Sequence, residues 1–313
     1  MGSESNENQY LISMSKMIIN MYPVISAIGL VTNILSFIVF SRKKFKKTVF
    51  SIYFRFLIIF DTLALLVPIN KFLELNLAIV ISHNTTLLCK IRMYYEFVIT
   101  PISSWILVVI SLDRYLGIAY PFGFVIHKKS KFQICVCLGI LLFHLVYFSP
   151  NLTYSLTKKL LVTNGTNETV FISSCNNPNV PLNMMVFFQS DLIPFVLMLF
   201  LTFITLLKLF NSRKRLNNNL SRQKDVKFAV ISVTLNIIFL ILTGPHYIFN
   251  LVYEDYLNTM SFDIFISIVS IKFLLFYSNF ASVFFINFAA NSLFKNEFYK
   301  FIRKNRCKRR FFT

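Results

Sequence analysis

Charged side chains inside long apolar stretches are the places where this sequence could do chemistry. Asp61 lies in Leu57-Ile58-Ile59-Phe60-Asp61, and Glu96 and the adjacent pair Asp113-Arg114 lie in one apolar run. Ionisable groups at membrane depth are costly, so they face the protein interior and mark ion paths or ligand contacts. Asp61 suits cation coordination or a polar network. Glu96, with Thr100 one turn further along, suits a cationic ligand group. An internal pair of Glu96 with Lys272 or Arg92 is the competing reading. Asp113 and Arg114 are neighbouring charges of opposite sign near a membrane edge. The four histidines, His83, His127, His144 and His246, are scattered through different segments, and no zinc spacing or nucleotide-binding glycine loop occurs. Metal-assisted or nucleophilic catalysis would need convergent groups, so an enzyme is not expected.

The elements that must position these residues are membrane spans. The chain has 313 residues, 56% hydrophobic and 14% charged, with 37 Phe and 7 Gly. One compact soluble core could not hide so much apolar surface. A bilayer core takes about 20 apolar residues per helix. Seven stretches qualify: Ile18–Phe40, Ile52–Asn70, Leu87–Tyr120, Phe132–Pro150, Leu182–Phe210, Val226–Val252 and Phe262–Ala290. The expected fold is therefore all-α, an integral membrane bundle of seven transmembrane helices. Residues 1–16 form a short extracellular N-terminus, 17–290 the bundle, and 291–313 an amphipathic helix with a basic cytoplasmic tail.

The net charge of +19 sets the orientation. Of the 32 Lys and Arg, 23 fall in Arg42–Lys47, Lys128–Lys131, Lys208–Lys227 and Lys295–Arg310, all on one side of a seven-span chain. The positive-inside rule places that side in the cytoplasm, with the N-terminus outside and the C-terminus inside. The charge thus reads as topology and as attraction to anionic membrane lipid, with no nucleic-acid partner. No cleavable signal pattern precedes the first span, which is expected to target the chain to the plasma membrane.

Five cysteines divide by compartment. Cys135 and Cys137 lie within the fourth span and Cys307 in the basic tail, leaving Cys89 and Cys175 on the oxidising side, where pairing is favoured. Asn84, Asn164 and Asn167 open glycosylation signals on that side. Phe294, Phe298, Phe301 and Ile302 recur at helical spacing among lysines and arginines. They predict a basic amphipathic helix on the inner leaflet, followed by Cys307 as a candidate palmitoylation site.

The third span ends in Asp113-Arg114-Tyr115, and here the chain resembles a rhodopsin-like (class A) G-protein-coupled receptor. Cys89 lies 25 residues before Arg114, about 37 Å of helix, so the two sit at opposite membrane edges as in that family. The resemblance extends to Gly29-x-x-x-Asn33 in the first span, Asp61 in the second, and Pro194 and Pro245 in the fifth and sixth. It implies that Asp113, Arg114 and Tyr115 couple to a heterotrimeric G protein. It also implies that Arg114 pairs with Asp225, at the inner end of the sixth helix, as a switch. It implies a sodium ion or a bare polar network at Asp61, with Ser103, Asn33 and Asn279. The upper cavity would be lined by Glu96, Thr100, Ser190, Asp191, His246, Tyr247, Asn250 and Tyr277.

Several positions depart from the family pattern. Val283-Phe284-Phe285-Ile286-Asn287 stands where Asn-Pro-x-x-Tyr is usual, and Leu242-Thr243-Gly244-Pro245 where Cys-Trp-x-Pro is usual. Pro101 is unusual in the third helix and predicts a kink there. The segments Phe60–Leu66 and Phe294–Phe298 look closest to invertebrate neuropeptide receptors of the FMRFamide type, so the expected partner is an extracellular peptide or other small ligand. An amine-type or chemosensory receptor, a receptor-like protein that does not signal, and a membrane transporter are the alternatives. Internal repeats, which would mark a transporter, are not seen.

Overall fold

A computed structural model of the chain describes residues 2–46, 51–77, 85–119, 129–153, 155–162, 169–176, 188–213, 220–256 and 262–309. Side chains are described for a subset of these, from residue 16 to 303. The helices are α1 (Gly2–Phe40), α2 (Lys43–Lys46), α3 (Ser51–Ala64), α4 (Leu66–Leu77), α5 (Thr86–Ala119), α6 (Ser130–Tyr147), α7 (Ile193–Arg213), α8 (Leu220–Tyr256), α9 (Phe262–Ala290) and α10 (Ser292–Arg309). Among the described residues, seven segments are long and apolar enough to cross a membrane: Lys16–Phe40, Ser51–Leu73, Thr86–Ala119, Ser130–Thr153, Phe188–Phe210, Phe228–Leu251 and Ile264–Ala290. They match the seven expected stretches to within three residues, except that the first six residues of the fifth, 182–187, lie outside the described residues. The all-helical bundle is therefore the observed fold.

Local sequence accounts for the irregular places. The second span is two helices, broken at Leu65. Pro68 has no N–H to give the carbonyl four residues back, at Ala64. The third span is one continuous helix through Pro101, and the sixth runs unbroken through Gly244-Pro245. The fifth opens with a wide π-turn, Phe188–Leu192, before Pro194. Asn291 Oδ1 accepts the Phe294 N–H at 3.1 Å and so caps the start of α10.

Outside the spans, β1 (Ser155–Val162) and β2 (Thr169–Asn176) form an antiparallel hairpin in the connection between the fourth and fifth spans, with Leu156 opposite Cys175. Strand β1 touches α5. Neither strand, Ser-Leu-Thr-Lys-Lys-Leu-Leu-Val nor Thr-Val-Phe-Ile-Ser-Ser-Cys-Asn, alternates apolar and polar residues along its length.

The third span is central, packing on the second, fourth, fifth and sixth, while the first packs on the seventh. Small residues permit this last approach. A Cβ on Gly29 would lie 2.5 Å from Leu65 Cδ1 and 3.0 Å from Ala281 Cβ, whereas one on Gly117 would meet nothing within 4 Å. Gly29→Val is expected to cost about 1–3 kcal/mol by overpacking, read as a lowered midpoint of thermal unfolding in detergent. Gly117→Ala should leave the midpoint unchanged. Equal midpoints for the two variants would contradict this packing.

Candidate functional site

Several polar sites are stacked along the bundle. The middle one is built on α3 and α5. Asp61 is 1% exposed, and Ser103 Oγ donates to its Oδ1. Asn33 is fully buried on α1, where its Nδ2 donates to the Phe280 carbonyl at 3.1 Å. Its Oδ1 has no hydrogen-bond donor among the described residues. Asn279 is buried on α9, one residue before Phe280. The structure thus joins Asp61 directly to Ser103 and buries Asn33 and Asn279 on neighbouring spans. Asn287, fully buried, turns its Nδ2 to the Val283 carbonyl at 2.9 Å.

Below this site runs a polar crossing that sequence reasoning missed. Ser111 Oγ donates to Asn236 Oδ1 at 2.9 Å, and Asn236 Nδ2 donates to Thr202 Oγ1 at 2.9 Å. All three residues are buried. The third, sixth and fifth spans are thereby linked in one chain of hydrogen bonds. A polar residue in an apolar helix was the available signal for Asn236.

Asp113 and Arg114 lie two and three residues beyond Ser111, in the last two turns of the third span, and both are buried. Arg114 Nε donates to Asp113 Oδ2 at 3.1 Å, and Nη2 reaches the same oxygen. The described pair is thus the one between sequence neighbours. Tyr115 is half-buried. Asp225 belongs to α8, and its side chain lies outside the described residues.

At the opposite end of the same helix, the partner of Glu96 differs from both expected ones. Lys71 Nζ lies 2.8 Å from Glu96 Oε1, with the two side chains 17% and 20% exposed. Lys272 instead donates to Asn250 Oδ1 at 2.8 Å, and its ammonium sits 4.1 Å from the Phe249 ring centroid. Because α4 restarts after the Leu65 break, Lys71 is delivered to the face of α5 that carries Glu96. Spacing along one helix could not show this. Lys71 also caps the Phe273 ring at 3.9 Å, and Tyr277 stacks on Phe273 with centroids 5.9 Å apart.

The other expected cavity residues divide. His246, Asn250 and Tyr277 join the cluster: Asn250 Nδ2 is 3.1 Å from His246 Nε2, and His246 stacks on Phe276 at 4.5 Å. Tyr247 packs edge-on against Phe195. Thr100 gives its hydroxyl to the Glu96 carbonyl at 2.7 Å, so that group is committed within its own helix. Ser190 is buried in the π-turn, held near the third span where Trp105 Nε1 donates to the Gln189 carbonyl at 3.2 Å. The Asp191 side chain lies outside the described residues.

Cys89 is fully buried at the start of α5 and is disulfide-bonded, while Cys135 and Cys137 are free thiols. The side chain of Cys175, on β2, lies outside the described residues, as do Asn84, Asn164 and Asn167. Cys307 is on α10, with its side chain likewise outside them.

At the basic end, α10 docks on the bundle. Phe294 is fully buried, packing on Phe40 at 5.3 Å and Phe284 at 5.7 Å, and Phe298 packs on Phe284 and Phe288. The stripe expected to face lipid therefore spends its first two aromatics on protein. Glu297, 4% exposed, pairs with Arg42 at 3.0 Å, Lys44 at 3.6 Å and Lys300 at 3.3 Å. This clamp ties the first connection to α10.

Seven apolar spans with charges buried between them define a multi-pass membrane protein. The model of the 7 transmembrane receptor (rhodopsin family) matches residues 32–287, and the chain belongs to that family. No curated protein matches it. The family is one of signalling receptors rather than enzymes.

Proposed function

We propose that this receptor binds an extracellular peptide with a basic group and activates a heterotrimeric G protein. The observation that carries the reading is one helix, α5, with the Glu96–Lys71 pair at one end and Asp113-Arg114-Tyr115 at the other. A ligand shifts a conformational equilibrium only through differential contact with the two states. A peptide cation that takes Glu96 from Lys71 makes such a contact. The Ser111–Asn236–Thr202 crossing supports transmission from the third span to the fifth and sixth. Arg114 leaves Asp113 for Asp225 in the resting switch, and meets the G protein in the active one.

The basic end faces the cytoplasm on this reading. Cys89 pairs with Cys175, a pairing supported by the contact of β1 with α5 and by the register that sets Leu156 opposite Cys175. Asn84, Asn164 and Asn167 carry N-glycans, and Cys307 carries an acyl chain. Cells that express the chain with a G-protein reporter, screened against amidated neuropeptides, test the assignment. A response that needs the chain supports it, and silence at full surface expression contradicts it.

Sodium is proposed at Asp61. The donors fit a hard monovalent cation, because the Asp61 carboxylate, the Ser103 hydroxyl and the undonated Asn33 Oδ1 are all oxygen. Asp61 would supply the charge, and the neutral oxygens would orient it. Replacing choline chloride by sodium chloride is expected to raise the unfolding midpoint of the purified protein, and Asp61→Asn to abolish the difference. The same sodium response in Asp61→Asn would remove the ion from this place.

A further inference from the structure

The polar cluster on α8 and α9, beside the Glu96–Lys71 pair, fixes where its own protons lie. Lys272 Nζ is 2.8 Å from Asn250 Oδ1, and an ammonium can only donate. The Asn250 amide is therefore held with its oxygen on Lys272. Its nitrogen falls 3.1 Å from His246 Nε2. An amide nitrogen donates, so Nε2 must accept. A neutral imidazole has one accepting and one donating nitrogen, and the His246 proton is left on Nδ1. An imidazolium would set N–H against N–H at Asn250, so the relay also holds the ring neutral. His246 is buried, and its Nδ1 has no hydrogen-bond partner among the described residues. Its surroundings are aromatic: the ring stacks on Phe276 at 4.5 Å and lies 5.5 Å from Phe273. A desolvated N–H without an acceptor is costly, and this one is presented by a relay that cannot turn it into an acceptor.

We propose that His246 Nδ1–H takes a carbonyl oxygen of the ligand, carried close to the cation that goes to Glu96. The inference rests on the basic-peptide reading of this end of the bundle and adds a second requirement to it. Lys71, which holds Glu96, and His246 sit around one ring, Phe273, with the ammonium 3.9 Å and the imidazole 5.5 Å from its centroid. A ligand cation that displaces Lys71 is thereby brought beside the imidazole. Every peptide unit carries a carbonyl, whereas a bare amine would leave the N–H unpaired. A site built to hydrogen-bond one group rejects the analogue that lacks it. His246 is thus a specificity-determining residue that favours an acyl-bearing cation over a simple amine. A ligand reaches Nδ1 by moving one of the rings packed on it, Phe273 or Phe276. The contact therefore belongs to the liganded state alone, as a ligand-driven shift of equilibrium requires.

Two probes isolate the carbonyl: arginine amide, and agmatine, which keeps the guanidinium and the amine but lacks the carboxamide. Full-length protein in neutral detergent is titrated with each, and affinity is read from the unfolding midpoint against probe concentration. Arginine amide is expected to bind about tenfold more tightly than agmatine. His246→Phe should abolish that preference. His246→Asn should keep it, because its amide N–H stands in for Nδ1–H. In protein labelled with 15N-histidine, the signal that His246→Asn removes is expected to show a proton on Nδ1, none on Nε2, and a shift with arginine amide. Equal affinities on the unaltered protein, which needs no variant to fold, would overturn the proposal and leave the role of Glu96 standing. So would a proton on Nε2, or an undiminished preference in folded His246→Phe. Agmatine binding that Glu96→Gln leaves unchanged, or no binding of either probe, would remove the basic-ligand reading and this inference with it.

Discussion

Glu297→Ala is expected to destabilise the basic end of the bundle by about 2 kcal/mol. Breaking a buried ion pair from one side costs roughly 3–5 kcal/mol, because a charge is left uncompensated. Here the carboxylate is buried but its partners are 27–59% exposed, and water takes over part of their charge. The loss should therefore fall below the fully buried range and still exceed that of a surface pair. Arg42 also donates to the Glu297 carbonyl at 3.1 Å, a bond that the substitution keeps. Thermal unfolding in detergent reads the effect as a lowered midpoint, and proteolysis reads it as earlier release of α10. Glu297→Gln should lose nearly as much, since an amide cannot offset three cations. A midpoint unchanged in both variants would mean that the aromatic contacts of Phe294 hold α10 alone.

The second large effect is expected at the opposite end of the bundle, at Glu96 on α5. Glu96→Gln should weaken a basic peptide ligand by more than tenfold, because a hydrogen bond to a charged partner contributes roughly 1.5–3 kcal/mol. Lys71 gives the test its direction. It already occupies Glu96 at 2.8 Å, so a cationic ligand must displace it. Lys71→Met removes the competitor, together with its ammonium contact on the Phe273 ring, and is expected to tighten the same ligand. Concentration–response curves for any peptide found active in the reporter screen separate the two variants. Equal potency in Glu96→Gln and the unaltered receptor would exclude the contact. Weaker binding in Lys71→Met would assign the lysine itself to the ligand.

Much of the bundle is legible from composition alone. Segments of about 20 apolar residues bounded by lysines must span, and no tertiary detail is needed to find them. Asp61 with Ser103 is also legible, since the two lie on helices that the resemblance places together, and the structure joins them. The ion pairs are less so. Glu96 meets Lys71 rather than Lys272 because the break at Leu65 and Pro68 resets the phase of the second span. Helical counting from the sequence carries no information across such a break. The role of Asn236 is not legible in the sequence, because its partners, Ser111 and Thr202, lie on two other helices. The clamp on Glu297 depends on the docking of α10, which the sequence offered as a membrane-facing stripe. Its first aromatics are instead used against Phe40, Phe284 and Phe288.

The departures from the family pattern also take on physical content. Asn287 is buried and bonded to Val283, so the seventh span keeps a polar group at the end that adjoins α10 although the usual motif is missing. The sixth span lacks its tryptophan; Phe239 and Tyr247, both buried in it, form a tilted pair with ring centroids 6.4 Å apart. On the proposed function, an activation relay would use the Ser111–Asn236–Thr202 crossing, which begins three residues before Arg114 on the same helix.

The account is tested most directly by nucleotide exchange on purified G protein, catalysed by the full-length receptor in lipid nanodiscs. Exchange is measured for the unaltered chain, Arg114→Ala and Asp225→Ala. Exchange above the receptor-free rate is predicted for the unaltered chain, a higher ligand-free rate for Asp225→Ala, and none for Arg114→Ala. Folded, correctly inserted protein that leaves exchange at the receptor-free rate for every G-protein family would contradict it, as would full activity in Arg114→Ala.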